Sequence, residues 1–138
     1  MLKKIFVSFL VFLLIFLSVG FNDKPIFRNY SNEYEVYLNS ASSTAQIKKV
    51  GISDFYFIKN LKGESAYINK NEFDLLSFLT EFNAEILFLE TTEQGVSYYA
   101  FSPKIKYQTT LNNQCVNLHV HISEQVVKVG APLIFGSF

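Results

Sequence analysis

The chain has 138 residues, 12 Lys+Arg against 12 Asp+Glu, and a single cysteine. A neutral charge balance gives no electrostatic footprint for a nucleic acid, and one cysteine excludes an intrachain disulfide. Aromatic residues make up 17% of the sequence with no tryptophan among them, so packing rather than cross-linking must hold the core.

Residues 1–21 read as a targeting segment. Lys3 and Lys4 precede an apolar run, residues 5–17, broken only by Ser8. As a secretory signal peptide this is a basic start, an apolar centre and a small-residue site, with Ser18 at −3 and Gly20 at −1 of a cut before Phe21. As an anchor, residues 5–21 offer 17 residues, at the short end of what spans a bilayer. Lys3 and Lys4 then stay on the cytoplasmic side, the rest of the chain lies outside, and the membrane itself is a partner. A buried N-terminal helix is the third reading, but the run lacks the polar face of an amphipathic helix. The leader contains no cysteine, so a lipoprotein anchor is excluded. Removing the leader takes Lys3 and Lys4 from the 12 Lys+Arg and leaves a net charge of −2. The expected location is extracytoplasmic, anchored or secreted, which also excludes nucleic acid as a partner.

Residues 22–32 hold Pro25, three asparagines and mixed charges without a period, and are expected to be a tether to a single domain, residues 33–138. Tyr34, Val36 and Leu38 alternate with Glu33, Glu35 and Tyr37, the pattern of a half-buried strand. Further strands are expected at residues 44–50, 55–59 and 65–68, with residues 60–64 turning. Asn71 is positioned to cap a helix, with Glu72 and Asp74 in its first turn. Phe73, Leu76, Leu79 and Phe82, flanked by Leu75 and Phe78, form its apolar stripe, and Asn83 suits the left-handed position that ends it. Residues 84–90 are apolar enough to be expected as a central strand. Gln94-Gly95 turns into another strand at 96–101, which Pro103 ends.

Residues 104–122 carry the candidate site. Asn112-Asn113 supply the two positive-φ positions of a type I′ turn, and that turn fixes a register. It sets Thr109 against Val116, Tyr107 against Leu118 and Ile105 against Val120 on an apolar face. On the other face Thr110 meets Cys115, Gln108 meets Asn117, Lys106 meets His119 and Lys104 meets His121. Lys104, Lys106, His119 and His121 thereby form a candidate anion site, suited to the phosphate of a wall polymer or a lipid head group. His119 and His121, with Cβ atoms roughly 7 Å apart on one strand face, are the alternative zinc or copper pair. Lysines opposite them count against a cation. A solvated sheet face is the plainer reading.

Enzyme patterns fail. Gly63-Glu64-Ser65 is too short for a nucleophile elbow, the carboxylates are scattered, and Cys115 sits several residues from either histidine along one strand. No catalytic residue and no cofactor can be named. The apolar end, Leu133-Ile134-Phe135 and Phe138, reads as part of a last strand over 126–138 or as a docking peptide for a partner protein.

Three stretches carry a family likeness. They are Gly63-Glu64-Ser65-Ala66-Tyr67-Ile68 running into the expected helix, Ser97-Tyr98-Tyr99-Ala100-Phe101-Ser102, and Val116-Asn117-Leu118-His119-Val120 with the tail from Val129 to Phe138. Over roughly the last 75 residues the chain resembles the YwmB-like small exported proteins of spore-forming Gram-positive bacteria. The resemblance implies a fold similar to the TATA-box-binding protein and no catalytic residues.

The expectation is therefore an α+β domain: a curved antiparallel sheet of about six to eight strands with one main helix packed on a face. Its expected role is non-enzymatic, as a binding or assembly module of the cell envelope, with an envelope protein or an anionic polymer as partner. The rivals are an anion- or metal-binding module at the Lys–His face and a Cys115-dependent enzyme.

Overall fold

The computed structural model describes residues 1–18 and 22–136. In chain order the elements are α1 (Leu2–Ser18), β1 (Glu33–Leu38), β2 (Gln46–Gly51), α2 (Ile52–Phe55), β3 (Leu61–Asn69), α3 (Leu75–Glu81), β4 (Glu85–Thr92), β5 (Gly95–Phe101), β6 (Thr109–Leu111), β7 (Gln114–Val116), β8 (Leu118–Ile122) and β9 (Val126–Ala131). Seven strands form one open antiparallel sheet in the order β2-β1-β3-β9-β8-β5-β4, and β6 and β7 form a separate two-stranded ribbon. The fold is α+β, as the alternating strands and one periodic helix imply.

From Ile5 to Leu17, α1 is apolar on every side apart from Ser8. Phe6, Phe9 and Phe12 are 67%, 62% and 68% exposed, so the buried-helix reading fails. At 1.5 Å per residue α1 is about 26 Å long, short of a hydrocarbon core of ~30 Å. Among the described residues no helix is long and apolar enough to cross a membrane. Gly20 and Phe21, which frame the expected cut, lie outside the described residues, as does Phe138.

One face of the sheet holds the core. Tyr34 and Val36 on β1, Ala66 and Ile68 on β3, Val127 and Val129 on β9, and Leu118 and Val120 on β8 pack against Phe55, Phe78, Leu79 and Phe82. The segment expected to be a tether belongs to this core. Phe27 is fully buried, 6.2 Å from Phe78 and 6.0 Å from Phe82 between ring centroids, and burying such a ring contributes about 2–3 kcal/mol. Asn22 extends the attachment, its side-chain amide donating to the carbonyls of Phe55 and Ile58. Residues 22–31 are thus a strap across the helix side of the sheet.

Several local expectations are corrected. Residues 55–59 are not a strand: the chain turns through α2, drops Phe55 into the core and reverses at Asn60, whose φ is 59°. The following strand is longer than the expected 65–68, because residues 61–64 extend β1's ladder rather than turning. Asp74, not Asn71, caps α3, accepting from the Ser77 amide at 2.8 Å; Asn69 caps the short 3-10 turn before it. Leu76 leaves the expected stripe and is 74% exposed. The expected helix end holds, with Asn83 at φ 49°. The strand expected to be central, β4, is an edge that pairs only with β5, and Leu89 on it is 54% exposed. Its apolar run matches a buried strand in composition, but neighbours rather than composition assign a strand's place.

The middle of the opposite sheet face is also buried. Alternation along the strands places Glu35, Ser65, Gly130, His119, Tyr99 and Phe88 in one cross-strand row. A second row runs Tyr67, Lys128, His121, Ser97 and Glu90. After β9 the tail folds back over the first row. The Ile134 amide donates to His119 Nδ1 at 3.1 Å, the Phe135 amide donates to the Tyr37 hydroxyl at 3.1 Å, and the two rings of Tyr37 and Phe135 meet edge-on. Gly130 permits this approach: a Cβ there would lie 2.6 Å from the Leu133 carbonyl oxygen. The tail is therefore neither a continued strand nor a free docking peptide within the described residues.

Candidate functional site

The expected hairpin forms only at its tip. Asn112 and Asn113 adopt φ values of 50° and 59°, and Thr109, Thr110 and Leu111 pair with Val116, Cys115 and Gln114 in the expected register. The pairing stops at Asn117. Its buried side chain accepts from the Ser102 amide and donates to the carbonyls of Ser102 and Ile105, a set of bonds at 2.7–3.1 Å. Beyond it β8 leaves the ribbon and inserts between β5 and β9. The hydrogen-bonding demand of Asn117, invisible to period-two patterning, diverts the strand.

This diversion separates the four residues expected to share a site. His119 faces Tyr99 and Gly130, and His121 faces Ser97 and Lys128. Both imidazoles are buried on the sheet face away from the helices. His119 stacks on Tyr99 at 4.4 Å, and burial, with the neighbouring His121, pushes its pKa down to about 3. His121 Nδ1 lies 2.9 Å from Ser97 Oγ, and burial lowers its pKa as well. The Nδ1 atoms of both rings are committed to protein partners, and no group of three or more metal-ligating side chains occurs among the described residues. Cys115 is exposed on the ribbon, its thiol directed to Gln108 Oε1 at 3.6 Å, away from the two buried imidazoles.

Lys104 and Lys106 instead line a cleft of about 490 Å³ on the helix side. One wall is the strap, with Lys24, Ile26 and Arg28; the other is the chain after β5, with Lys104, Lys106 and Tyr107; Phe55, Phe82 and Glu81 complete it, and Glu64 on β3 is in its floor. Lys104 donates to the Glu81 carbonyl at 2.7 Å, helping to close the C-terminal end of α3. Lys106 pairs with Asp23 at 3.2 Å, both side chains well exposed, a contact worth under ~1 kcal/mol. The Glu81 carboxylate accepts from Asn29 and from the Tyr30 hydroxyl. Neither Lys24 nor Arg28 has a salt-bridge partner among the described residues.

Glu64 is fully buried, and burial pushes its pKa up to about 8; the amides of Ile26 and Phe27 and the charge of Lys106 pull it back only in part. The Ile26 amide donates to Oε1, whereas Oε2 has no hydrogen-bond partner among the described residues. Tyr107 is held above its ordinary pKa by burial and by the nearby Glu64 and Asp23. The cleft thus gathers four cationic side chains against two exposed carboxylates, Asp23 and Glu81, over a carboxyl that favours its neutral form.

Glu64 was not among the expected site residues, although the sequence holds a signal for it. It shares strand parity with Ala66 and Ile68, so any strand that buries those two also buries the acid. Treating residues 60–64 as a turn hid that parity. Comparisons with protein-family models, curated proteins and solved structures find no match to this chain.

Proposed function

We propose that this chain is a non-enzymatic binding module of the cell envelope that takes a phosphodiester-type anion in the cleft between the strap and the chain after β5. One observation carries the reading: Lys24, Arg28, Lys104 and Lys106 converge on a 490 Å³ cleft whose floor is a buried carboxyl. That size suits an anionic group with an organic body rather than a bare ion. Phe55, Phe82 and Tyr107 give the body an apolar wall, and an arginine beside lysines matches phosphate geometry. The basic start and apolar run of the leader, together with the YwmB-like resemblance, support an extracytoplasmic location. The leader then serves as an export signal or holds the membrane through residues 5–21.

The test is calorimetric titration of the full-length protein in neutral detergent micelles at low salt. The two arms are a soluble glycerol-phosphate oligomer and phosphatidylglycerol mixed into the micelles. Saturable binding of the oligomer assigns a wall polymer, and binding of the lipid alone assigns a head group. The K24A/R28A double variant is expected to weaken either by about tenfold, a loss of about 1.4 kcal/mol. No saturable binding in either arm, or full affinity in the double variant, overturns the proposal.

A further inference from the structure

We propose that the two edges of the sheet join copies of this chain head to tail, β4 of one copy pairing with β2 of the next. The proposal is independent of what the cleft binds. The seven strands are antiparallel throughout, and seven is odd, so the first and last, β2 and β4, run in the same direction. Copies set edge to edge with their helix sides aligned therefore bring β4 beside β2 in parallel, and the sheet continues from one copy into the next. Each of these strands has a ladder on one side only: β4, eight residues long, pairs with β5, and β2, six residues long, pairs with β1. Among the described residues no further strand covers either outer edge. A row of unpaired amides and carbonyls of this kind is a template for another strand.

Charge selects which edge meets which. β2 carries Lys48 and Lys49, both exposed, and β4 carries Glu85 and Glu90, both exposed. Pairing β2 with β2 crowds lysines and pairing β4 with β4 crowds glutamates, whereas β4 against β2 sets opposite charges side by side. The pleat agrees with this choice. Lys49 lies across the ladder from Glu35, so it shares the outer sheet face with Phe88 and Glu90. A register of residues 47–51 along residues 88–92 sets Lys49 beside Glu90 and Ile47 beside Phe88 on that face. It uses only the part of β4 beyond the irregularity between Ile86 and Phe88. On the helix side the same register lays the apolar stem of Lys48 alongside the exposed Leu89. Glu35 is already engaged by Lys128 and Ser65. Glu90 accepts from the Tyr99 hydroxyl at 3.1 Å, and a carboxylate has lone pairs left for an ammonium. Two different edges make a heterologous junction, and the twist of the sheet keeps it from closing, so the copies form an open row.

The test is sedimentation velocity of the full-length protein in neutral detergent, from about 10 µM to about 1 mM. The wild-type protein is expected to associate beyond the dimer as concentration rises. Lys49→Glu and Glu90→Lys are each expected to weaken that association about tenfold. An equimolar mixture of the two variants is expected to restore it, because alternating copies again set opposite charges at every junction. A wild-type monomer at every concentration, or growth that ends at a dimer, overturns the proposal. Growth unmoved by both substitutions overturns it too, since the association then belongs to α1 or another contact, and so does a mixture that associates no better than its components. Hydrogen exchange reads the same junction without a variant. Amides of β2 and β4 in the wild-type protein are expected to gain protection together as concentration rises, and a gain at neither edge, or at one alone, sinks the pairing. None of these outcomes bears on anion binding, which is read by ligand titration.

Discussion

On the helix side of the sheet, Glu64 is buried beneath the strap with amides around it and no cation in salt-bridge range. On the opposite side, Lys128 is buried just as deeply, but Glu35 Oε2 lies 2.7 Å from its Nζ and the Tyr67 ring sits 4.6 Å beneath it. Two buried ionisable groups in one small domain therefore meet desolvation in two ways. Lys128 is balanced by a carboxylate and an aromatic face, whereas burial shifts Glu64 toward its neutral form. A buried group paired in this manner contributes to architecture, because every partner is already present. A group left with an open hydrogen-bonding atom beside a cleft is the better candidate for function.

The strongest way to break this comparison is at the strap. Phe27→Ala removes the ring shared with Phe78 and Phe82, and the expected loss is about 4 kcal/mol in urea unfolding. Because the strap also holds the Ile26 amide on Glu64, the variant should disorder the cleft before the far sheet face. Hydrogen exchange would show amides of residues 22–31 opening ahead of those in β8 and β9. On the other side, Glu35→Ala leaves Lys128 buried without its carboxylate, and we expect a loss of about 3 kcal/mol at neutral pH. A loss below 1 kcal/mol there would mean that water reaches Lys128 and that the far face is open.

The two faces should also respond oppositely to pH. Glu64 has a folded pKa raised to about 8, so its contribution is complete below the unfolded carboxylate pKa and is lost as pH rises toward 8. His119 has a folded pKa depressed to about 3, so its contribution is present above the unfolded imidazole pKa of about 6.5 and is lost as pH falls toward 3. Stability should peak between those limbs, in the mildly acidic range. Between pH 6.5 and 8 the Glu64 limb should lower stability by about 2 kcal/mol. Denaturant midpoints across pH would show that limb, and Glu64→Gln should flatten it while leaving the acid limb in place. The smallest expected effect is at Cys115. It is exposed and removed from both imidazoles, so Cys115→Ser should change stability by less than about 0.5 kcal/mol. A loss of ligand binding in that variant would bring the ribbon into the site.

Much of the fold was legible wherever one residue's chemistry acts over a few neighbours. Alternation in residues 33–38 placed β1, Asn112-Asn113 placed the ribbon turn, and Asn83 ended α3, since each depends on local backbone geometry. The site was less legible. Lys104 and Lys106 line the cleft on the helix side, but Asn117 diverts β8, and the histidines therefore belong to the other side of the sheet. Phe27 looked like part of a linker because the short Ile26-Phe27 pair among polar residues shows no period, although its ring packs against Phe78 and Phe82.

The sequence by itself determined the apolar run of α1, the α+β class, the neutral charge balance, the Asn112-Asn113 turn and the helix end at Asn83, all of which follow from composition and short-range sterics. Only the tertiary structure decided which strand is an edge, that the tail covers His119, and that Glu64 rather than a histidine stands in the floor of the cationic cleft. Those outcomes depend on burial and on partners far apart in the chain. Desolvation and hydrogen-bond satisfaction, which set them, have no signature until the chain has closed on itself.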